Sequence, residues 1–261
     1  MKPVHFIVVL MLCVLACSCG SRKSNPNTVT IATAANMQFA MEELAGRFTK
    51  NTGIPCELIL GSSGKLTAQI VEGAPYDLFV AANMKYPEEV ARKGFAAGSP
   101  EVYARGTLVL WTAKEGITPS LSVLTTDAVA HIALANPAIA PYGKAAMEVL
   151  DVYGLSDVVA DKLVYGESIA QANQFILSGA AEMGFTALSV VLSPNMQGRG
   201  RWVSIDSGLH MPIEQGVVLI HRQTGPSAAA NAFHDFLFSA EAREVLKNFG
   251  YSVSEPARRT Y

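Results

Sequence analysis

The chain has 261 residues, of which 50% are hydrophobic and 16% charged. That length allows one large domain or two modest lobes with ample core material, and the apolar share excludes a disordered chain. Lys plus Arg total 20 against 22 Asp plus Glu, and a near-neutral chain without a basic block excludes a nucleic-acid partner, whose footprint is a positive patch.

Lys2 and His5 precede an unbroken apolar run from Phe6 to Ala16. The run is shorter than the about 20 residues of a membrane span and reads as a secretory signal. Val14-Leu15-Ala16-Cys17 resembles a bacterial lipobox, in which the cysteine becomes the acylated first residue. Residues 1–16 are therefore expected as a lipoprotein signal peptide and Cys17 as the lipidation site, with Cys19 the alternative. Residues 17–28 are polar and aperiodic towards their end and read as a lipid-anchored tether. The expected location is the outer face of the cell membrane, towards the periplasm or the cell exterior. Cys13 leaves with the signal, so Cys56 alone remains in the body and no internal disulfide framework is expected. Cys56 alternates with Leu58 and Leu60 and reads as a small buried hydrophobe.

The body repeats strand, loop and helix. Val29–Thr33 reads as a strand. A helix follows with Met37, Met41, Leu44, Ala45 and Phe48 on one face, ending at Gly53. Residues 55–60 form a second strand, and Gly61-Ser62-Ser63-Gly64 leads into a helix carrying Leu66, Ile70 and Val71. The apolar run from Asp77 to Ala81 suits a strand buried on both faces. Pro87 opens a short helix that stops at Gly94. Strands are then expected at 107–112 and 131–135. Pro141-Tyr142-Gly143 precedes a helix with Ala146, Val149, Leu150 and Tyr153 on one stripe. A strand at 163–165, a helix at 171–177 and strands at 184–187 and 217–220 follow. Two helical segments, 228–238 and 241–249, close the body.

This alternation argues an α/β fold with mostly parallel sheets flanked by helices. Two lobes fit the length: residues 29–104 plus about 222–261 in lobe one, and about 105–221 in lobe two. Ligands in such sheets sit at the carboxyl ends of strands, against helix starts. That rule nominates the loops Ala34–Asn36, Gly61–Gly64, Pro141–Gly143 and Gly166–Ile169, with Ala187–Ser189 weaker. Their side chains are small and polar, with Glu167 inside one loop and Lys65 and Lys144 just beyond two others. A divalent-metal site would converge carboxylates or imidazoles; these loops offer hydroxyls, an amide and unpaired backbone N–H groups, which suit an oxyanion. Taken singly, Asn36, Ser63 and Ser168 each read better as helix N-caps, which need no ligand; it is the recurrence at four strand ends in two halves of the chain that favours binding.

Two sharper motifs fail. A phosphate loop requires glycine where Ile59 stands and Ser or Thr at Leu66. A serine hydrolase requires Gly-x-Ser-x-Gly and a placed histidine, whereas His131 and His221 lie in or at the end of strands and His210 and His234 in a loop and a helix.

Ile31-Ala32-Thr33-Ala34-Ala35-Asn36, Gly61-Ser62-Ser63-Gly64-Lys65-Leu66 with Gln69-Ile70, Gly73-Ala74-Pro75-Tyr76-Asp77-Leu78-Phe79-Val80-Ala81-Ala82, and Ala135-Asn136-Pro137 with Pro141-Tyr142-Gly143-Lys144 together resemble the molybdate-binding proteins of bacterial ABC importers, from about Val29 to Val253. The resemblance implies the two-lobed periplasmic-binding-protein fold of type II. It implies a non-enzyme that binds molybdate, and tungstate with it, in the interlobe cleft. Asn36, Ser63, Tyr142 and Ile169 would hold the oxyanion's oxygens, Ile169 through its backbone N–H, with Ala35 a further backbone donor; these are the only metal contacts implied. Many members donate a Tyr hydroxyl from the position of Ala187, and the resemblance makes Tyr142 the candidate replacement. The implied partners are an ABC permease and, through the lipid, a membrane; no cofactor is implied and a monomer is expected. Sulfate or another tetrahedral oxyanion is the alternative ligand, and an exported hydrolase the third reading. Lys2 is the only charged residue before Cys17, so the mature chain is slightly more acidic than the precursor. An anion carrier of that charge must hold its ligand by local dipoles rather than by bulk attraction.

Overall fold

The structure, a computed structural model, describes residues 28–223 and 225–253. The signal peptide, Cys13, Cys17, Cys19 and nearly all of the tether lie outside them. Among the described residues no helix is long and apolar enough to cross a membrane.

The first half of the chain runs β1 (Val29–Ala34), α1 (Gln38–Thr52), β2 (Cys56–Gly61), α2 (Ser63–Val71), β3 (Leu78–Ala81), α3 (Lys85–Arg92) and β4 (Glu101–Arg105). It continues through β5 (Leu108–Thr112), β6 (Ile132–Ala135), α4 (Pro141–Val152), β7 (Leu163–Gly166), α5 (Ile169–Leu177), β8 (Met183–Ala187), α6 (Leu188–Val191) and β9 (Arg201–Ser204). It ends with β10 (Glu214–Leu219), α7 (Ala228–Leu237) and α8 (Ala240–Asn248).

Two five-stranded sheets result, in the orders β2-β1-β3-β10-β4 and β7-β6-β8-β5-β9. β1 pairs parallel with β2 and β3, while β10 runs antiparallel to both β3 and β4. β4 therefore points the same way as β3. The second sheet repeats the scheme, with β5 the reversed strand between β8 and β9. Each sheet is thus mixed through one reversed strand, and the remaining strands point one way, aiming their carboxyl ends at the gap between the sheets.

The expected second-lobe span ends too late. β10 belongs to the first sheet, because Val217 and Val218 bury on opposite faces there: Val217 with Ile31, Leu78, Phe48 and Phe233, Val218 with Ala32, Phe79 and Leu66. The chain crosses between sheets after β4 and returns after β9. The two crossings lie side by side, with the Gly106 N–H donating to the Ile213 carbonyl at 2.9 Å. Arg105 and Ser252 exchange backbone hydrogen bonds beside them, so Ser252 also packs at this hinge. Opposite Gln215 and Gly216 the register slips and Tyr103 is left without a strand partner, a bulge of the kind that re-aims side chains.

β4, α6 and β9 were not expected from sequence. β4 reads as the crossing itself, since only Gly106 and Thr107 separate it from β5. β9 is exposed along its whole length and so has no buried face to set a period. Two expected core positions face solvent instead: Leu60, on the edge strand β2, and Tyr153, which follows the last turn of α4. His131 and His221 are exposed beside their strands rather than within them.

The stripe read on α1 is buried as expected, and Gly53 ends the helix at φ 73°. Phe48 packs edge-on to Phe233 with ring centroids 5.0 Å apart and lies 5.6 Å from Phe236. Phe48→Ala is expected to lower folding stability by about 3–5 kcal/mol, measured as a fall in the urea midpoint.

Candidate functional site

Four helix starts meet between the lobes. Ala35 and Asn36 form the turn from β1 to α1, Ser62 and Ser63 the turn from β2 to α2, Pro141 and Tyr142 open α4, and Ile169 opens α5. With Ala34, Gly61, Ala82 and Ala140 they line one cavity of about 210 Å³, its mouth included. Its enclosed free volume is about 10 Å³, about what one water requires, so it has the size for a small ion and not for an organic ligand. Ala35, Asn36, Ser63, Tyr142 and Ile169 are therefore brought together, although the first three come from one sheet and the last two from the other. The Ala187–Ser189 loop does not line the cavity.

No lining residue carries a charge. Each helix start instead leaves backbone N–H groups without intrahelical partners and presents the positive end of its dipole. Glycine permits the close packing this requires: a Cβ on Gly143, in the first turn of α4, would stand 1.9 Å from the Ala135 carbonyl oxygen.

The helix caps divide their work. Ser62, not Ser63, caps α2, accepting from the Lys65 N–H at 3.4 Å. Ser63 is the first helical residue, and its Oγ accepts from the Ala82 N–H at 3.0 Å. A hydroxyl that accepts there still has its hydrogen to donate, and Ser63 is fully buried at the cavity. Ser168 holds the N-cap position of α5 without a side-chain cap bond. Asn36 caps nothing: its Nδ2 donates to Gln215 Oε1 at 2.8 Å and to Tyr251 Oη at 3.1 Å. In this arrangement the turn's free donors are its backbone N–H groups rather than the Asn36 amide.

Tyr142 is 1% exposed, and its hydroxyl has no hydrogen-bond partner. Burial holds its pKa well above the ordinary phenol value, with the neighbouring Tyr251 and Tyr103 adding to the effect. Tyr251 and Tyr103 are likewise pushed up by burial. All three are neutral phenols. Among the described residues there is no group of three or more His, Cys, Asp or Glu placed to hold a metal ion. Cys56 is half-buried on the first-lobe core, and burial pushes its thiol up to about 11. That keeps it protonated and unreactive.

Of the groups behind the cavity, sequence reasoning reached only Ser189, within the weaker Ala187–Ser189 loop, and missed Gln215 and Tyr251. Gln215, Tyr251 and Ser189 surround Asn36, the last donating from its Oγ to the Asn36 carbonyl at 2.8 Å. They lie 179, 215 and 153 residues away in the chain, with no local pattern to connect them. The lobes also touch at the rim. The Gly64 N–H donates to the Ile139 carbonyl at 2.9 Å, Tyr86 Oη reaches the Ala138 carbonyl at 3.4 Å, and Lys65 pairs with Glu167 at 2.7 Å. The last pair is half-exposed, and such pairs contribute about 0–1 kcal/mol. Gly64 matters more, since a Cβ there would stand 2.9 Å from Ile139 Cβ and 3.0 Å from its Cα. Gly64→Ala is expected to hold the lobes apart while leaving each folded, seen as a larger radius of gyration in small-angle scattering at an unchanged circular-dichroism spectrum.

The chain matches the family model for bacterial extracellular solute-binding proteins over residues 29–252. It is 39% identical over 251 residues to the molybdate-binding protein ModA of Azotobacter vinelandii, covering 95% of this chain and 97% of that one. It is 39% identical over 226 residues to ModA of Rhodobacter capsulatus, covering 85% and 87% respectively. The solved periplasmic molybdate-binding protein of Azotobacter vinelandii superposes with a TM-score of 0.81 at 37% identity, covering 87% of this chain and all of that one. The chain thus belongs to the bacterial extracellular solute-binding proteins, and its relatives within them are molybdate-binding proteins.

Proposed function

We propose that this protein binds molybdate between its lobes and delivers it to an ABC importer. The observation that carries the reading is the cavity where four helix starts from two sheets converge with no charged side chain in the lining. Ser63 and the backbone N–H groups of Ala35, Asn36, Tyr142 and Ile169 are its donors, while the Tyr142 hydroxyl points behind the cavity towards Gly106. Charge-assisted hydrogen bonds contribute about 1.5–3 kcal/mol each. A ring of them holds a dianion without the desolvation cost of a buried counter-ion, which is several kcal/mol per ion. A donor-only site also favours a fully deprotonated oxyanion, because an O–H on the ligand would meet an N–H with no acceptor. Tungstate has the same charge and tetrahedral shape and enters the same site. The relatives' names support molybdate as the ligand.

The relatives are binding proteins, which supports reading this chain as a carrier rather than an enzyme. The protein works as a monomer, tethered outside the membrane by a lipid on Cys17, and the closed pair of lobes is what the permease receives.

Calorimetric titration with molybdate, tungstate, sulfate and phosphate tests the ligand. Heat with molybdate and tungstate and none with phosphate is expected; tight sulfate binding with no molybdate heat would overturn the assignment. Ser63→Ala is expected to weaken molybdate binding about ten- to hundredfold, the loss of one charge-assisted bond. The donors are backbone N–H groups and a serine hydroxyl, which do not titrate in the ordinary range, and burial keeps the phenols behind them protonated as pH rises. Molybdate affinity is therefore expected to be flat from about pH 6 to 9, and a fall within that window would show a titrating group in the site.

A further inference from the structure

The Asn36 side chain sits in a closed set of hydrogen bonds that joins both lobes. Asn36 Nδ2 donates to Tyr251 Oη, the Tyr251 hydroxyl faces both Ser189 Oγ at 2.9 Å and the Asn36 carbonyl at 3.0 Å and donates to one of them, and Ser189 donates back to the Asn36 carbonyl. Ser189 belongs to the second lobe, Asn36 and Tyr251 to the first. The other Asn36 hydrogen goes to Gln215 Oε1, and Gln215 Nε2 makes only a long 3.3 Å bond to the Ile213 carbonyl. Gln215 is fully buried and does not line the cavity.

Two buried phenols here, Tyr142 and Tyr103, have hydroxyls without a hydrogen-bond partner. Tyr142 Oη shares the space above Gly106 with Gln215: a Cβ on that glycine would stand 2.0 Å from Tyr142 Oη and 3.1 Å from Gln215 Nε2. A buried donor without an acceptor is destabilising. What Tyr142 lacks is an acceptor, and Gln215 turns its nitrogen rather than its oxygen to that side.

We propose that Gln215 and Tyr251 are positioning residues for the oxyanion, acting through Asn36, and that binding turns the Asn36 and Gln215 amides over together. The inference rests on the oxyanion reading of the cavity. A half-turn of each amide about its last side-chain bond exchanges oxygen for nitrogen without moving the backbone. Gln215 Nε2 then donates to Asn36 Oδ1, and the Tyr251 hydroxyl does the same. Gln215 Oε1 becomes the acceptor for the Tyr142 hydroxyl. Asn36 Nδ2 is released to donate into the cavity. The long Gln215–Ile213 bond and the Tyr251 hydroxyl's bond to Ser189 Oγ or the Asn36 carbonyl are given up, while Ser189 keeps its bond to the Asn36 carbonyl. The anion selects this orientation because only it offers an N–H from Asn36, and the Tyr142 phenol is satisfied in the same step. The bulge opposite Gln215 is what aims that side chain at the hinge.

The test titrates molybdate into the mature protein and its Gln215→Met, Asn36→Ala and doubly substituted variants, with Tyr251→Phe as an independent probe should Gln215→Met fail to fold. Gln215→Met is expected to weaken binding about tenfold, the worth of one hydrogen bond to a charged group passed through Asn36. The double variant is expected to bind no more weakly than Asn36→Ala alone, because Gln215 has no other route to the ligand. Tyr251→Phe is expected to weaken binding by a smaller factor. Side-chain amide NMR gives a second readout: the nuclear Overhauser contact from the Asn36 Nδ2 hydrogens to Tyr251 is expected to vanish on saturation with molybdate. Wild-type protein that gives no molybdate heat overturns the oxyanion reading and this inference with it. Wild-type protein that binds, while Gln215→Met and Tyr251→Phe bind equally well or the losses simply add in the double variant, overturns this inference alone. Persistence of the Asn36–Tyr251 contact in the saturated complex does the same.

Discussion

Everything in this molecule turns on backbone N–H groups that helix geometry leaves unpaired. A helix start exposes such groups whatever its sequence, so the chain assembles a site for an anion by arranging four starts around one point. This requires strand ends that face each other across a gap, which is what two sheets of the same strand order provide. It requires small residues where helix meets strand, as at Gly143. It also requires that nearby hydroxyls not be used up as caps. Ser62 takes the capping role at α2 and leaves Ser63 for the cavity.

Closure and recognition share the same atoms. The cavity exists only where the lobes meet, and they meet through the Gly64–Ile139 backbone bond beside the α2 start and through Ser189 on the Asn36 carbonyl. Both contacts involve residues within or next to ligand loops. A change in how far the lobes are apart therefore changes the donors directly, with no intervening pathway. The half-exposed Lys65–Glu167 pair adds registration at the rim more than energy.

The parts of the fold legible in the sequence are those with one strong local period. The stripe on α1 and the unbroken apolar run of β3 are examples, since both bury what their spacing says they bury. Positions decided by distant partners were not legible. β9 has no buried face, so nothing in Arg201–Ser204 marks it as a strand. β10 reads correctly as a strand but joins the other sheet from the one expected, because sheet membership is decided by where Val217 and Val218 find core. For the site, the four loops were visible as small polar stretches after strands. The choice between Ser62 and Ser63 as cap was not, since it depends on one residue's backbone angle. Gln215 and Tyr251 gave no signal at all, because only the hinge brings them to Asn36, and Ser189 was visible only within the weaker Ala187–Ser189 loop.

The central claim is that an anion is held here by neutral dipoles and not by charge. The most direct measurement is the salt dependence of molybdate affinity. Bound by dipoles inside a closed cavity, the ligand is shielded from added ions, and its dissociation constant is expected to change by less than about threefold between roughly 20 and 500 mM sodium chloride. A loss of affinity that steepens with salt, as for an anion drawn to exposed lysines or arginines, would contradict the account.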